Sequence, residues 1–506
     1  MSRSTPESSG AAPAGVLPLA ARIQTAVDAA RAREWSLAVG AATAIWALAV
    51  FSIVRDRYLD FRFARYDLGN MVQAVWSTAH GRPLDTTDGQ TGEQIVRLAS
   101  HVDPILAALA PVWIVAPSPL ALAAVQVVAV ALGALPLYWL ARLRLGSERV
   151  AAMLALAYLA YPWTAWAAVD LFHPVCLAIP LLLFCVWFLE RDRLVPFAVC
   201  ATLTAATGEL MGLVVAALGI WYALARGRRM AGAAIACAGV GWSLIALRVV
   251  VPAFADGPSL FYGAYEHVGG SPWGVVHTAF TDPLRIVSAA TGGGDLLYLF
   301  LLAAPLCGLF LLAPGLLLVA LPQLGANLLA DRSHTTDPHA HYVAGILPFL
   351  FAALAVGLAR LSPAGRSRAA LVVLVLSLAT TVAVGPWPAT LLGTSSWDTL
   401  GTLDTSRAHV RALEEAVSIV PAGAPVSATN RVGAHLADRR YLYSAPVVGR
   451  AEWVVLDVAD TWVPEGFGGV ADPGAIRRLQ ARLEDDVSWR KVFERDGVFV
   501  YQKTNA

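Results

Sequence analysis

The sequence predicts an all-α polytopic membrane bundle with a small extracytoplasmic α/β domain at its C-terminal end. Three observations point there. Hydrophobic residues make up 57% and charged residues only 14% of the 506-residue chain, and mean hydropathy is +0.60, far from an ordinary soluble enzyme. Apolar runs recur from residue 36 to residue 386, and from 387 to 506 the composition turns soluble.

Residues 1–35 read as a cytoplasmic N-terminal tail, disordered over the Ser-, Ala-, Pro- and Gly-rich first 18. The first apolar run is too long and too late for a secretory signal, so it should stay as an anchor. A helix needs roughly 20 apolar residues to cross the hydrocarbon core, and about eleven runs are candidates: 36–54, 119–141, 149–166, 174–190, 194–208, 211–226, 230–251, 294–313, 315–330, 342–360 and 368–386. The stretch 104–117 is also apolar, but Pro104, Pro111 and Pro117 break it, and it reads as an interfacial helix within a long first outer loop, 55–118. In the tail, Ser406 is placed to cap a helix ending near Ile419, 425–429 and 452–458 read as strands, and 473–485 reads as an amphipathic helix. Asp496-Gly497 is a hairpin-turn dipeptide that would join two more strands.

Arginine placement sets the expected orientation, because basic residues in short loops stay cytoplasmic. With the N-terminus inside, the inner loops carry Arg142, Arg144 and Arg149, then Arg191 and Arg193, then Arg226, Arg228 and Arg229, then Arg360, Arg366 and Arg368. Beyond the first loop, the outer loops carry only Arg285 and Arg332. The first loop holds six arginines of its own, interspersed with acids over about fifty residues, a length at which the rule weakens. An odd number of spans then puts the C-terminal domain outside.

A net charge of +1 with no basic cluster excludes a nucleic-acid footprint. The five cysteines, all in apolar stretches, lack the paired spacing of a zinc site or a disulfide framework and read as packing residues.

All ten histidines fall on the expected outer side, several beside acids at loop ends. The first loop has Arg65-Tyr66-Asp67-Leu68-Gly69-Asn70 and later His101-Val102-Asp103-Pro104. Asp170 and His173 lie between the third and fourth runs, Glu209 between the fifth and sixth, and Asp331 to Tyr342 between the ninth and tenth, with Arg332, His334, Asp337, His339 and His341. Ionisable groups at membrane depth are costly and are functional candidates by default. Asp337, His339 and His341 with Asp170 and His173 offer imidazole and carboxylate donors suited to zinc or manganese; hydrogen bonding to a sugar or phosphate is the competing use. Tyr161, Trp163 and Trp166 read as an interfacial aromatic belt.

The order Tyr-Asp-Leu-Gly, His-x-Asp-Pro, Asp-x-x-His-Pro, Gly-Glu and His-x-His-Tyr resembles a bacterial membrane family known as domain of unknown function 2079. The long acidic first loop, followed by His-x-x-Pro and a span ending Leu140-Ala141-Arg142, resembles the GT-C superfamily of membrane glycosyltransferases. That resemblance implies a multi-pass protein of the bacterial plasma membrane and a polyprenyl-phosphate sugar donor. It also implies an acid of the first loop at the active site: Asp67 is the expected base, since an acceptor hydroxyl attacks poorly until its proton is taken. The expected substrate-binding set is His101, Asp103, Asp170, His173, Glu209, Arg332, His334, Asp337, His339, His341 and Tyr342, with the Arg332 guanidinium suited to the leaving phosphate. The acceptor, glycan or protein, is unspecified. A flippase or transporter for a lipid-linked sugar, and a non-catalytic scaffold, remain the alternatives.

Overall fold

The computed structural model describes residues 19–255, 260–387, 406–465 and 468–504. Its first helix, Leu19–Leu59, is continuous, so residues 19–35, expected as tail, form the start of that helix; residues 1–18 lie outside the described residues.

Five helices are long and apolar enough to cross a membrane, Arg33–Leu59, Pro119–Leu145, Arg229–Phe254, His341–Arg360 and Pro363–Val384. Two bent pairs, Glu148–Ala160 with Pro162–Val169 and Pro283–Ala289 with Gly293–Leu306, raise the number to seven if each is one span. The expected eleven are therefore not reached among the described residues. The reason is length: the runs at 194–208 and 211–226 fold as helices of 12 and 15 residues, and at 1.5 Å per residue roughly 20 are needed to span about 30 Å. The run 294–313 is interrupted by Cys307 and Gly308, both left-handed.

Small residues let helices approach closely where apolar surface alone would not select a partner in lipid. Helices Met211–Ala225 and Arg229–Ile245 pack through Gly212, Gly219, Gly232 and Gly239. A Cβ on Gly239 would sit 2.4 Å from the Gly212 carbonyl oxygen.

Tyr161, Trp163 and Trp166 do not form an interfacial belt. All three are buried and donate to backbone carbonyls of other segments. Trp163 Nε1 reaches the Leu301 carbonyl at 2.9 Å, the acceptor four residues before Pro305, whose missing N–H leaves that carbonyl without a helical donor. Trp166 Nε1 reaches the Val384 carbonyl at 2.8 Å, in the last turn of its helix, where carbonyls lack helical partners. Of the cysteines, Cys176 and Cys185 are packed inside, whereas Cys237, on helix Arg229–Ile245, and Cys307, in the left-handed turn, are exposed.

Nine strands are described: β1 Asp85–Thr87 and β2 Gln94–Val96 form a hairpin in the first loop, and β3 Val426–Ala428, β4 Leu442–Ser444, β5 Trp453–Asp457, β6 Trp462–Glu465, β7 Gly468–Ala471, β8 Trp489–Arg495 and β9 Val498–Lys503 belong to the C-terminal domain. Five of these form a mixed sheet in the order β4-β3-β5-β9-β8, with β3 parallel to both its neighbours. The expected elements are present: Ser406 caps helix Arg407–Ile419, helix Pro473–Asp485 begins at an Asp472 cap, and Asp496 and Gly497, both at positive φ, turn β8 into β9. Alternation along β5 splits its side chains between two cores. Val454 and Leu456 pack with Ile476 and Leu479 of Pro473–Asp485, while Trp453 and Val455 join Leu413 and Ala416 in the core that is continuous with the bundle. One face of the sheet is thus part of the membrane domain's own packing. Residues 388–405 lie outside the described residues.

Candidate active site

The site is built where the turns between apolar helices meet the first loop. Asp170 and His173 flank a turn after helix Pro162–Val169. That turn is held by Gln126, 1% exposed in the middle of helix Pro119–Leu132. Its Nε2 donates to the Ala167 and Asp170 carbonyls, both at 3.1 Å, and its Oε1 accepts the His173 amide at 2.7 Å. Gln126 was not among the residues singled out from sequence; the signal available was an amide side chain in the centre of an otherwise apolar run.

Around this turn four of the expected residues converge. The His341 ring stacks on His173 with centroids 3.5 Å apart. The Asp170 carboxylate accepts the His341 amide at 3.0 Å and faces its Nδ1 at 3.3 Å. Asp67 approaches from the first loop, its Oδ1 3.5 Å from His173 Nε2, and its side chain is 31% exposed. Asp67 therefore faces His173, while Arg65 turns away into the C-terminal domain.

The electrostatics follow from this packing. Burial acts to raise the Asp170 carboxyl, but the His341 hydrogen bond and the neighbouring imidazoles outweigh it and hold Asp170 below the usual carboxylate range. Burial acts to lower His173, and the hydrogen bond and charge of Asp67, with Asp170, raise it overall. His334 is lowered by burial and by Arg332, against the charges of Asp67 and Asp337, which places it in the same field; its ring lies 5.6 Å from that of Tyr342.

The remaining expected residues are arranged around this centre. Asp337 pairs with His339 at 2.6 Å, and the His339 ring meets Trp163 and Trp166 edge-on. Asp103 forms a buried two-atom ion pair with Arg97, which occupies its carboxylate in holding the first loop. Glu209 accepts the Val102 amide at 3.0 Å and faces His101 Nδ1 at 3.3 Å. Burial would raise Glu209, yet His101 and the amide hold it down at about 2. Tyr265, raised by burial and then by the Glu209 charge, stands beside this pair.

Asp170, His173 and His341 each present a donor atom, all within 4.8 Å of one another. One carboxylate and two imidazoles are a ligand set suited to zinc or manganese. His173 Nδ1 faces the Leu171 carbonyl at 2.6 Å and stands 4.0 Å from Asp170 Oδ2, while Nε2 is turned to Asp67.

Residues 57–500 match the family described as predicted membrane protein (DUF2079). The chain belongs to that family. No curated protein matches the sequence. Among solved structures, ArnT from Cupriavidus metallidurans bound to undecaprenyl phosphate is similar, at a TM-score of 0.50 and 13% identity over 90% of this chain and 97% of that one. The apo state of the same protein gives a TM-score of 0.48 at 14% identity, over 91% and 98%. At this identity the likeness concerns the fold alone: this DUF2079 member shares the overall fold of the undecaprenyl phosphate-bound structure.

Proposed function

We propose that this DUF2079 protein is a glycosyltransferase that moves a sugar from a polyprenyl-phosphate donor to an extracytoplasmic acceptor, with Asp67 as the base. The observation that carries the reading is the meeting of Asp67 with His173, and through it with Asp170 and His341, in a fold shared with an undecaprenyl phosphate-bound protein. The arginine distribution supports placing this end of the bundle outside the cytoplasm.

In this mechanism the acceptor hydroxyl gives its proton to the Asp67 carboxylate as its oxygen bonds to the anomeric carbon. The bond from that carbon to the donor phosphate oxygen breaks, its electron pair leaving with the polyprenyl phosphate. His173 orients the carboxylate from its ring nitrogen at 3.5 Å, a distance that binding of substrate can tighten. Arg332, with His334 beside it, holds the departing phosphate through paired N–H donors. Asp170, His173 and His341 would hold a divalent ion, which would supply positive charge to stabilise the leaving phosphate.

The test is Asp67→Asn in purified protein reconstituted in vesicles, assayed with radiolabelled polyprenyl-phosphate hexose and pentose donors. Transfer should fall by about a hundredfold or more, the usual contribution of a positioned base. Transfer at the wild-type rate would remove Asp67 from the reaction.

A further inference from the structure

The turn that carries Asp67 is capped from far away in the chain. Arg65–Gly69 is a π-helical turn preceded by Ala64, which offers no capping side chain, and the first amides of a helix have no partner within it. The amide of Tyr66, directly before Asp67, donates to Asn430 Oδ1 in the C-terminal domain at 3.0 Å. Arg65, fully buried, donates through Nη2 to the Leu442 carbonyl at 3.0 Å and to the Thr87 carbonyl. Space for it comes from glycines: a Cβ on Gly433 would lie 2.7 Å from the Arg65 Cβ, and one on Gly89 would lie 2.8 Å from its Nη1. The Tyr66 ring leans against Trp462 of β6 at 5.1 Å.

The location of these contacts within the sheet is informative. Open α/β sheets bind ligands outside the carboxyl ends of parallel strands, where successive connections run in opposite directions. The chain passes from β3 to β4 on one side and returns to β5 on the other, and Asn430 and Arg431 follow directly on β3. That place is taken by the chain's own first loop. Asn430 holds Tyr66, and the Arg431 Nε donates to the Phe61 carbonyl at 2.6 Å.

We infer that the C-terminal domain positions the catalytic turn, with Asn430 the positioning residue that caps it and thereby sets the Asp67 carboxylate against His173. The inference rests on Asp67 being the base, as proposed above. It assigns the strand ends to the first loop, leaving the acceptor to be bound elsewhere.

The experiment uses the full chain in vesicles and compares Asn430→Ala, Asn430→Asp, which keeps the accepting oxygen, and Arg477→Ala, an exposed control on helix Pro473–Asp485. Amide hydrogen exchange at residues 64–70 needs no substrate; kcat and KM are read with the radiolabelled hexose donor. Asn430→Ala should speed exchange at 64–70 about tenfold and lower kcat about tenfold or more with KM within about twofold, as expected for a misplaced base. Asn430→Asp should restore both, and Arg477→Ala should change neither. Unchanged exchange in Asn430→Ala overturns the capping role. Faster exchange with wild-type kcat, in a protein that Asp67→Asn inactivates, overturns the positioning role alone. A fully active Asp67→Asn protein instead removes the base, and the inference falls with it.

Discussion

Replacing Gln126 by Leu should loosen the Asp170–His173 turn without leaving a hole. The side chains are close in volume, so the change isolates the hydrogen bonds. Three backbone groups lose their partner: the Ala167 and Asp170 carbonyls and the His173 amide. A buried polar group left unpaired costs about 1–3 kcal/mol. Because Asp170 and His173 are half-buried, water can replace part of the loss at two of the three. The expected destabilisation is therefore about 2–4 kcal/mol, read as a shift in SDS-induced unfolding in mixed micelles. The same variant should show faster amide exchange confined to residues 167–173. Stability within about 0.5 kcal/mol of wild type, with unchanged exchange there, would mean that the turn is held by other contacts and that Gln126 only fills space.

Two further outcomes follow from the same reasoning. Burial, against the Arg431 amide, pushes the Asp460 carboxyl up to about 7, so the folded chain keeps a proton that the unfolded chain releases near pH 4. The stability this contributes is full below about pH 4 and is lost as pH rises through about 7, so Asp460→Asn should be more stable than wild type by about 1–3 kcal/mol at pH 8, the two converging in acid; parallel unfolding profiles across that range would refute it. Gly239→Ala should cost about 1–3 kcal/mol in the same unfolding assay, since its Cβ meets backbone rather than a movable side chain, and a neutral result would show that the two helices can separate freely.

Much of the C-terminal domain was legible because its signals are local. Ser406 and the Asp496-Gly497 turn act within a few residues of themselves, and strand alternation along 453–457 needs only the strand. Not every expected span is matched by one long straight helix among the described residues, because hydropathy records how apolar a run is, not whether its helix stays straight. The runs near Tyr161 and Cys307 are apolar yet bent or broken. Nothing local to 161–166 shows that Trp163 faces the carbonyl freed by Pro305, so from sequence the aromatic trio has the pattern of an interface belt.

By itself the sequence determined a largely helical membrane protein, the helices and strands of its C-terminal region and the loops that hold the ionisable residues, because hydrophobic content, capping and turn chemistry are properties of short segments. Only the tertiary structure decided which of those residues meet. It stacked His173 on His341, set Asp67 against them, tied Asp103 to Arg97 and gave Glu209 to His101. It also brought in Gln126 and Asn430, whose partners are backbone groups in other segments. Backbone amides and carbonyls are the same at every position, so no residue type in the sequence marks where such partners will be.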